Sequence, residues 1–265
     1  MSTNVRTSPH HVECAGATDS GKDHATNADA YVICVVGRHD EESSLPVTED
    51  LSFDTNGDPL LLAVSDGVGA AVAGGVASAM VVESLRRAIP TESADWNRTL
   101  EAAFARANRD VWLASRAPEH VDSQATLVAV CVHGHDAYVA EVGDSRVYLL
   151  RNDDLQLVTR DRDYVGMQLD TGTLPAAVSG SMRDVVVDAL GQKADVRVGL
   201  GRLRLVAGDT LLLCSDGLSD ALSRAQIHRA IEEASSPREA CLRLVQEAND
   251  ENGKDNVTVI VASVH

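Results

Sequence analysis

The feature that most constrains this chain is an apolar run ending in Ser-Asp-Gly, a pattern that occurs twice. The two copies are Leu60–Gly67 and Leu211–Gly217. Apolar runs of this length are typical of strands buried on both faces. An Asp at such a strand end is held rigidly and the following Gly leaves carbonyl oxygens open, so the pattern predicts two carboxylates converging on Mg²⁺ or Mn²⁺. Taken alone, each copy also fits an ordinary Asp-Gly turn after a core strand.

Composition indicates one domain without a nucleic-acid or membrane partner. Residues 12–265 contain no linker or repeat that would divide them, whereas residues 1–11 are polar and are predicted to be loose. Aromatic residues make up only 3% of the chain, so a core must be built from aliphatic side chains. The formal net charge of −17 disfavours binding to nucleic acid or to an anionic membrane surface. No apolar run reaches membrane-spanning length.

The cysteine pattern favours a reducing environment. Five cysteines are widely spaced without a Cys-x-x-Cys pair, and most lie in apolar stretches: Cys14, Cys34, Cys131, Cys214 and Cys241. Such spacing predicts free, buried thiols in a cytoplasmic protein. It leaves the oligomeric state open.

Helices are predicted in pairs between blocks of strands, which is typical of α+β proteins with antiparallel sheets. One pair is predicted at Ala73–Ile89 and after the capping residue Asp95. The other begins at two capping boxes, Ser223–Gln226 and Ser236–Glu239. Short strands are predicted at His11–Ala17 and Ala30–Val36. A β-meander is predicted over Thr126–Val158, followed by strands at Val185–Ala189, Val196–Leu200, Leu203–Val206 and Val257–Val264.

Two aperiodic stretches interrupt this pattern. Residues 37–59 are predicted to be a surface insertion, and residues 160–184, which contain several glycines, a flap that influences substrate choice. Within the first stretch, Asp54–Asp58 resembles a calcium loop. Its Gly is misplaced for that role and no Glu closes the loop, so an Asn-Gly hairpin turn is the better prediction.

Acidic residues mark six predicted strand ends and tight turns: Asp29, Asp66, Asp144, Asp216, Asp220 and Asp255. Singly, each fits a turn former or a helix cap. Four sequence blocks that contain four of them resemble the metal-dependent serine/threonine protein phosphatases of the 2C type in order and spacing. These blocks are Leu61–Gly69, Gly143–Tyr148, Gly208–Leu218 and Lys254–Val259.

The resemblance implies a bacterial-like single catalytic domain. Its fold would be a central antiparallel β-sandwich flanked by pairs of helices, a four-layer αββα arrangement. Asp66 would bridge two metal ions, with the Gly67 carbonyl on one of them, and Asp216 and Asp255 would hold the other. A third, weaker ion would lie at Asp144 and Asp220. Asp29 would be an outer acid that supports the site.

The implied activity is hydrolysis of phosphoserine and phosphothreonine esters by a water activated between two Mn²⁺ or Mg²⁺ ions, without dependence on zinc. A phosphate dianion approaches such an acidic cluster only where cations dominate its electrostatics. The implied partner is a phosphorylated protein, with the enzyme opposing a serine/threonine kinase. The alternative is a regulatory, phosphatase-like domain that binds metal and a phosphorylated partner without efficient turnover. A calcium-binding or purely structural acidic domain would leave the paired Ser-Asp-Gly strands unexplained.

The chain departs from the family pattern near its first block. His24 stands in place of an Arg that clamps the substrate phosphate, and Ala28 in place of a Glu. Ala70 and Ala71 replace the usual Gly and His. An imidazole does not substitute in kind for a bidentate guanidinium, so His24 is predicted only as a possible phosphate contact. Other candidates for that contact are Lys22, Arg162 and Arg183.

Overall fold

The computed structural model describes residues 11–37, 50–69, 71–117, 123–159, 188–251 and 253–265. Strands and helices are numbered along the chain. One antiparallel sheet has six strands, in the spatial order β10 (Asp154–Leu157), β9 (Arg146–Arg151), β12 (Thr210–Cys214), β13 (Val257–Val264), β1 (His11–Asp19) and β3 (Leu51–Asp54). The other has five, in the order β11 (Gly199–Arg204), β8 (Asp136–Val142), β7 (Leu127–His133), β4 (Leu60–Ser65) and β2 (Ala30–Val35). A two-stranded ribbon joins β5 (Gly67–Val68) to β6 (Gln124–Ala125).

Helices cover the outer faces of both sheets. The five-stranded sheet carries α1 (Ala71–Ala88) and α2 (Trp96–Ala114). The six-stranded sheet carries α3 (Asp216–Ala221), α4 (Arg224–Glu232) and α5 (Pro237–Glu251). The predicted four-layer αββα fold is therefore confirmed.

Three apolar cores hold these layers together. The core between the sheets is mainly aliphatic, with Leu62, Val130, Leu213 and Ile260 among its fully buried members. The outer cores lie beneath the helices, where α1 contributes side chains at helical spacing. Strand β4 is buried at all six positions, as its uninterrupted apolar run predicts.

The predicted helix boundaries hold where capping chemistry is clear. Asp95 caps α2 and accepts a hydrogen bond from the Arg98 N–H, and Ser223 and Gln226 form a reciprocal capping box. At α5, Ser236 accepts from the Glu239 N–H, but the Glu239 carboxylate bonds Ser235 instead. Helix α3 was not predicted, because Asp216 and Gly217 looked like a turn.

Several strand predictions were wrong. Leu51–Asp54, within the predicted insertion, pairs with β1, so only residues 38–49 of that stretch lie outside the described residues. The Asn-Gly turn after it links strands of different sheets and is not a hairpin. The loose segment was predicted to include His11, but this residue begins β1, in agreement with the predicted strand His11–Ala17.

The later strands also differ from the prediction. The proposed meander is divided between the two sheets at Gly143–Ser145, and one strand, β11, replaces the two expected around Val196–Val206. Residues 188 and 189 are not in a strand, and the rest of Val185–Ala189 lies outside the described residues, as does the predicted flap at 160–184.

All five cysteines are free, and four are fully buried, as predicted. Burial raises the pKa of the half-buried Cys34 thiol to about 11, so even this thiol stays protonated at neutral pH. None of the helices in the described ranges is long and apolar enough to cross a lipid bilayer.

Candidate metal centre

Strand pairing brings the predicted acidic residues to one edge of the sandwich. In the five-stranded sheet Ala30 pairs with Ser65, so Asp29 and Asp66 flank adjacent strand ends. In the six-stranded sheet β12 and β13 are antiparallel neighbours, so the end of β12 lies beside the start of β13. Asp216 follows β12, and Asp255 precedes β13.

The main chain at Asp66 is fixed on both sides by Thr126. The Asp66 N–H donates to Thr126 Oγ1 at 3.0 Å, and the Thr126 N–H donates back to the Asp66 carbonyl at 2.8 Å. Thr126 Oγ1 also hydrogen-bonds Ser145 Oγ at 2.7 Å. This buried network joins the end of β4 to the loop that carries Asp144.

The Ser of each Ser-Asp-Gly unit anchors its strand end. Ser65 Oγ donates to the Thr126 carbonyl at 2.6 Å. Ser215 Oγ donates to Asp29 Oδ2 at 2.8 Å and accepts from the Thr258 N–H at 3.0 Å. The repeated tripeptide thus supplies a positioning hydroxyl as well as a carboxylate, and Ser215 ties Asp29 to the strand end that carries Asp216.

The carboxyl groups of this edge oppose one another's ionisation. Burial, followed by the charges of Asp29, Asp216 and Asp144, raises the pKa of Asp66 well above its usual range. Burial raises the pKa of Asp29 to about 7 and that of Asp216 to about 6, and the charge of Asp255 adds to both. The side chains of Asp66 and Asp216 hydrogen-bond each other. Without a cation, the described residues therefore favour protons shared within this cluster.

These residues fit hard divalent cations. Asp29 Oδ1 and Asp216 Oδ1 are buried, and neither accepts a hydrogen bond from any described residue. Buried carboxylate oxygens are normally paired, so acceptors left open at a cluster of like charges suit a cation. All the candidate donors are oxygens, which Mn²⁺ and Mg²⁺ prefer.

Glycines allow the backbone to pack closely here. A Cβ at Gly67 would collide with the backbone of Gly74 in the first turn of α1 and would lie 2.7 Å from the Ala28 carbonyl. A Cβ at Gly217 would collide with the Asn256 carbonyl. Each Gly therefore lets a carboxylate-bearing turn lie against a neighbouring backbone.

The other two predicted carboxylates lie at the same edge. Asp144 follows Gly143, whose φ of 101° suits the crossing between the two sheets. The charge of Asp144 raises the pKa of Asp66. The charge of Asp220, on α3, raises the pKa of Asp216. Asp220 and Asp255 also line a cavity of about 90 Å³ together with Lys254.

Comparison with known proteins decides the family. A family model for Protein phosphatase 2C matches residues 36–249. The chain belongs to the protein phosphatase 2C family. It is 30% identical over 217 residues to the serine/threonine phosphatase stp of Listeria innocua, covering 79% of this chain and 86% of that protein.

A second relative is longer than this chain. The serine/threonine protein phosphatase PstP of Mycobacterium tuberculosis is 35% identical over 209 residues, which are 77% of this chain and 40% of PstP. The match thus spans less than half of that relative. The PstP/Ppp crystal structure superposes with a TM-score of 0.78 at 29% identity, covering 96% of this chain and 99% of that one.

Another solved structure concerns the metal centre. The catalytic domain of PstP in complex with two manganese ions superposes with a TM-score of 0.76 at 29% identity. It covers 96% of this chain and 99% of that chain. This family member binds two manganese ions.

Two departures from the phosphatase 2C pattern, His24 and Ala28, lie beside the Asp255-Asn256 pair, whereas Ala70 lies outside the described residues. His24 Nε2 is 3.7 Å from Asp255 Oδ1 and the His24 side chain is 44% exposed, so the imidazole reaches the metal centre from solvent. Lys22 pairs with Asp250 at 3.9 Å. The two remaining basic candidates lie outside the described residues: Arg162 and Arg183.

Asn256 was missed as a positioning residue. Its side chain is buried, accepts from the Ala28 N–H at 2.7 Å and donates to the Ser20 carbonyl at 2.8 Å. Asn256 thus holds the loop that carries His24 against the start of β13, next to Asp255. The signal in the sequence was the polar pair Asp255-Asn256 before an apolar strand, but its partners are more than 200 positions away.

Proposed function

We propose that this chain is a metal-dependent serine/threonine protein phosphatase that hydrolyses phosphoserine and phosphothreonine esters of proteins. The proposal rests on Asp66, Asp216 and Asp255 meeting at one sandwich edge. Buried carboxylate oxygens there accept no hydrogen bond from the described residues. Membership of the phosphatase 2C family and the printed names of its relatives support it.

Two divalent cations, Mn²⁺ or Mg²⁺, are assigned to four groups: the carboxylates of Asp66, Asp216 and Asp255 and the carbonyl of Gly67. We assign a third ion to Asp144 and Asp220. The PstP structure with two manganese ions supports this count for the first pair. When bound, such cations attract phosphoryl oxygens and lower the pKa of coordinated water.

The remaining residues of the centre position these groups. Thr126 fixes the main chain of Asp66, so the Cα from which the central carboxylate projects stays in place when charge accumulates on the substrate. Asp29, held by Ser215, supports Asp216 from the buried side. The geometry is thus prepared before substrate arrives, which favours catalysis by positioning and electrostatics.

The exposed side of the centre is suited to a protein substrate. Asp255 and His24 are 58% and 44% exposed, so a phosphorylated side chain reaches them without unfolding of this edge. His24 is proposed to contact the phosphate through its imidazole. The substrates are proposed to be proteins phosphorylated by a serine/threonine kinase.

The test is phosphate release from phosphoserine, phosphothreonine and phosphotyrosine peptides, with Mn²⁺ and with a chelator. Turnover of the first two that requires the metal is expected. Binding of a phosphopeptide without turnover at any Mn²⁺ concentration would contradict the proposal.

A further inference from the structure

A second group of metal-ligating side chains lies at the opposite end of β9 from the proposed catalytic cluster. Asp153, His228 and Glu232 offer one ligand atom each, and these atoms all lie within 4.8 Å of one another. Strand β9 separates Asp153 from Asp144, and its six residues span roughly 20 Å at about 3.3 Å per residue. The two groups are therefore separate sites.

Local structure brings these three residues together. His228 and Glu232 are four positions apart on α4, so they project from one helix face. Asp153 lies in the turn between β9 and β10, where Asn152 and Asp153 have φ values of 51° and 64°. Asn and Asp tolerate this left-handed backbone, which aims the Asp153 side chain at α4.

The contacts define how a cation would bind. His228 Nε2 is 2.9 Å from Asp153 Oδ1 and 3.2 Å from the Asp153 carbonyl oxygen. In the absence of metal this nitrogen donates its proton to Asp153. On metal binding Nε2 becomes a ligand, and the neutral ring carries its proton at Nδ1.

The charge balance favours a cation here. Two carboxylates lie within 4.8 Å of each other on a chain of net charge −17. The neighbouring Arg229 on α4 pairs with Glu247 at 3.2 Å. Like charges at this distance repel unless an imidazolium or a metal ion lies between them.

We propose that Asp153, His228 and Glu232 bind a zinc-class transition-metal ion that ties the β9–β10 turn to α4. One imidazole with two carboxylates suits Zn²⁺ better than Mg²⁺ or Ca²⁺, which prefer oxygen donors alone. Asp153 and Glu232 also line a cavity of about 450 Å³, which leaves room for further ligands. The Asp153 side chain is 79% exposed, so the ion enters directly from solvent.

The test is Zn²⁺ titration of the whole chain with excess Mg²⁺, which occupies oxygen-only sites. Wild type is compared with His228→Gln and Glu232→Gln. His133→Gln is the matched control, since His133 packs against Trp96 and is not among the residues that line this cavity. Wild type and control should bind one Zn²⁺ that the other two variants bind at least about tenfold more weakly, because even outer-shell losses cost 10–100-fold.

A second readout reports the imidazole itself. One equivalent of Zn²⁺ should move the ring ¹⁵N resonances of His228 and leave those of His133 in place. Equal zinc affinity in all four proteins, or unchanged His228 resonances, would overturn the proposal. Glu232 is exposed, so Glu232→Gln remains a valid test if His228→Gln does not fold.

Discussion

At the residue scale, Asp66 has the environment least compatible with an isolated carboxylate. Its main chain is locked by Thr126, while burial and three neighbouring carboxyl groups raise its pKa. A carboxylate buried among like charges requires a counter-charge. The largest charges that act on Asp66 are those of other carboxyl groups.

Asp66→Asn should therefore weaken Mn²⁺ binding more than any other single carboxylate change at this edge. Asn keeps the size of Asp but removes the charge proposed to bridge two ions. We expect calorimetry to show a Kd for Mn²⁺ raised at least about tenfold, or about 1.4 kcal/mol, with loss of metal-dependent turnover. Asp23→Asn, in the exposed loop beside His24, is the charge-matched control. Undiminished Mn²⁺ binding by Asp66→Asn would refute the assignment.

His24→Arg should improve binding of phosphorylated substrates. The wild-type imidazole offers one donor near Asp255, whereas a guanidinium is always charged and binds phosphate through two donors. KM should fall, with kcat less affected, by at most the roughly 1.5–3 kcal/mol of one charge-assisted hydrogen bond. Steady-state kinetics on a phosphothreonine peptide measures this, with His24→Gln as the control. A KM that is unchanged in both variants would remove His24 from the phosphate site.

The sequence allowed prediction of the carboxylates but not of the residues that hold them. Asp66 and Asp216 were predicted because each follows a long apolar run, a local signal. Asn256 and Thr126 act through hydrogen bonds to partners far along the chain, and single polar residues next to strands carry no comparable pattern. The metal assignments themselves remain predictions.

At the element scale, the centre depends on how closely α1 approaches the turn after β4. Gly67 and Gly74 lie backbone to backbone, and Ser78 on the same helix donates to the Ala28 carbonyl at 2.5 Å. The Gly67 N–H donates to that carbonyl too, at 3.2 Å. Helix packing therefore determines where Asp66 lies relative to Asp29.

Gly67→Ala should destabilise the protein and disturb the metal centre together. The added methyl would meet the Gly74 backbone, which cannot move without shifting α1. Overpacking of this kind costs about 1–3 kcal/mol, and each kcal/mol lowers Tm by about 2–4 °C in a domain of this size. Gly57→Ala is the control, because its Cβ would meet no atom within 4 Å. Equal Tm and Mn²⁺ affinity in the two variants would contradict this account.

Helix periodicity was sufficient to predict α1 and α2, but the assignment of each strand to one of the two sheets was not predictable. The sequence pattern of a strand is the same whether the strand pairs within the preceding sheet or belongs to the other one. The change of sheet at Gly143–Ser145 therefore had no local signal in the sequence. Edge strand β3 has only four residues, two of them exposed, which is too short for its alternation to stand out from a polar loop. Helix α3 has six residues and begins with Asp-Gly, a turn signature.

At the scale of the whole molecule, three mainly aliphatic cores stabilise a fold in which one edge of the sandwich gathers carboxyl groups that repel one another. The cores do not depend on pH, whereas the carboxyl cluster does. Asp29 and Asp216 have pKa values of about 7 and about 6, above the value of 3.8 for an unperturbed Asp. Between pH 3.8 and about pH 7 the folded chain binds more protons than the unfolded chain, because these two carboxyl groups hold their protons longer in the folded state. Without divalent cations, stability is therefore lost as pH rises from about 4 to about 7.

Cations should reverse this dependence, since they replace the protons as counter-charge. The gain in Tm on adding Mg²⁺ to chelator-treated protein should be small at pH 5, where protons already neutralise the cluster. At pH 8 it should be larger by at least about 3 °C, or roughly 1 kcal/mol in a domain of this size. Asp66→Asn should flatten this pH dependence, because it removes one titrating charge and one ligand together. Thermal melts at pH 5, 6, 7 and 8 measure the gain. An equal gain at pH 5 and pH 8 would mean that protons and cations do not compete for this edge.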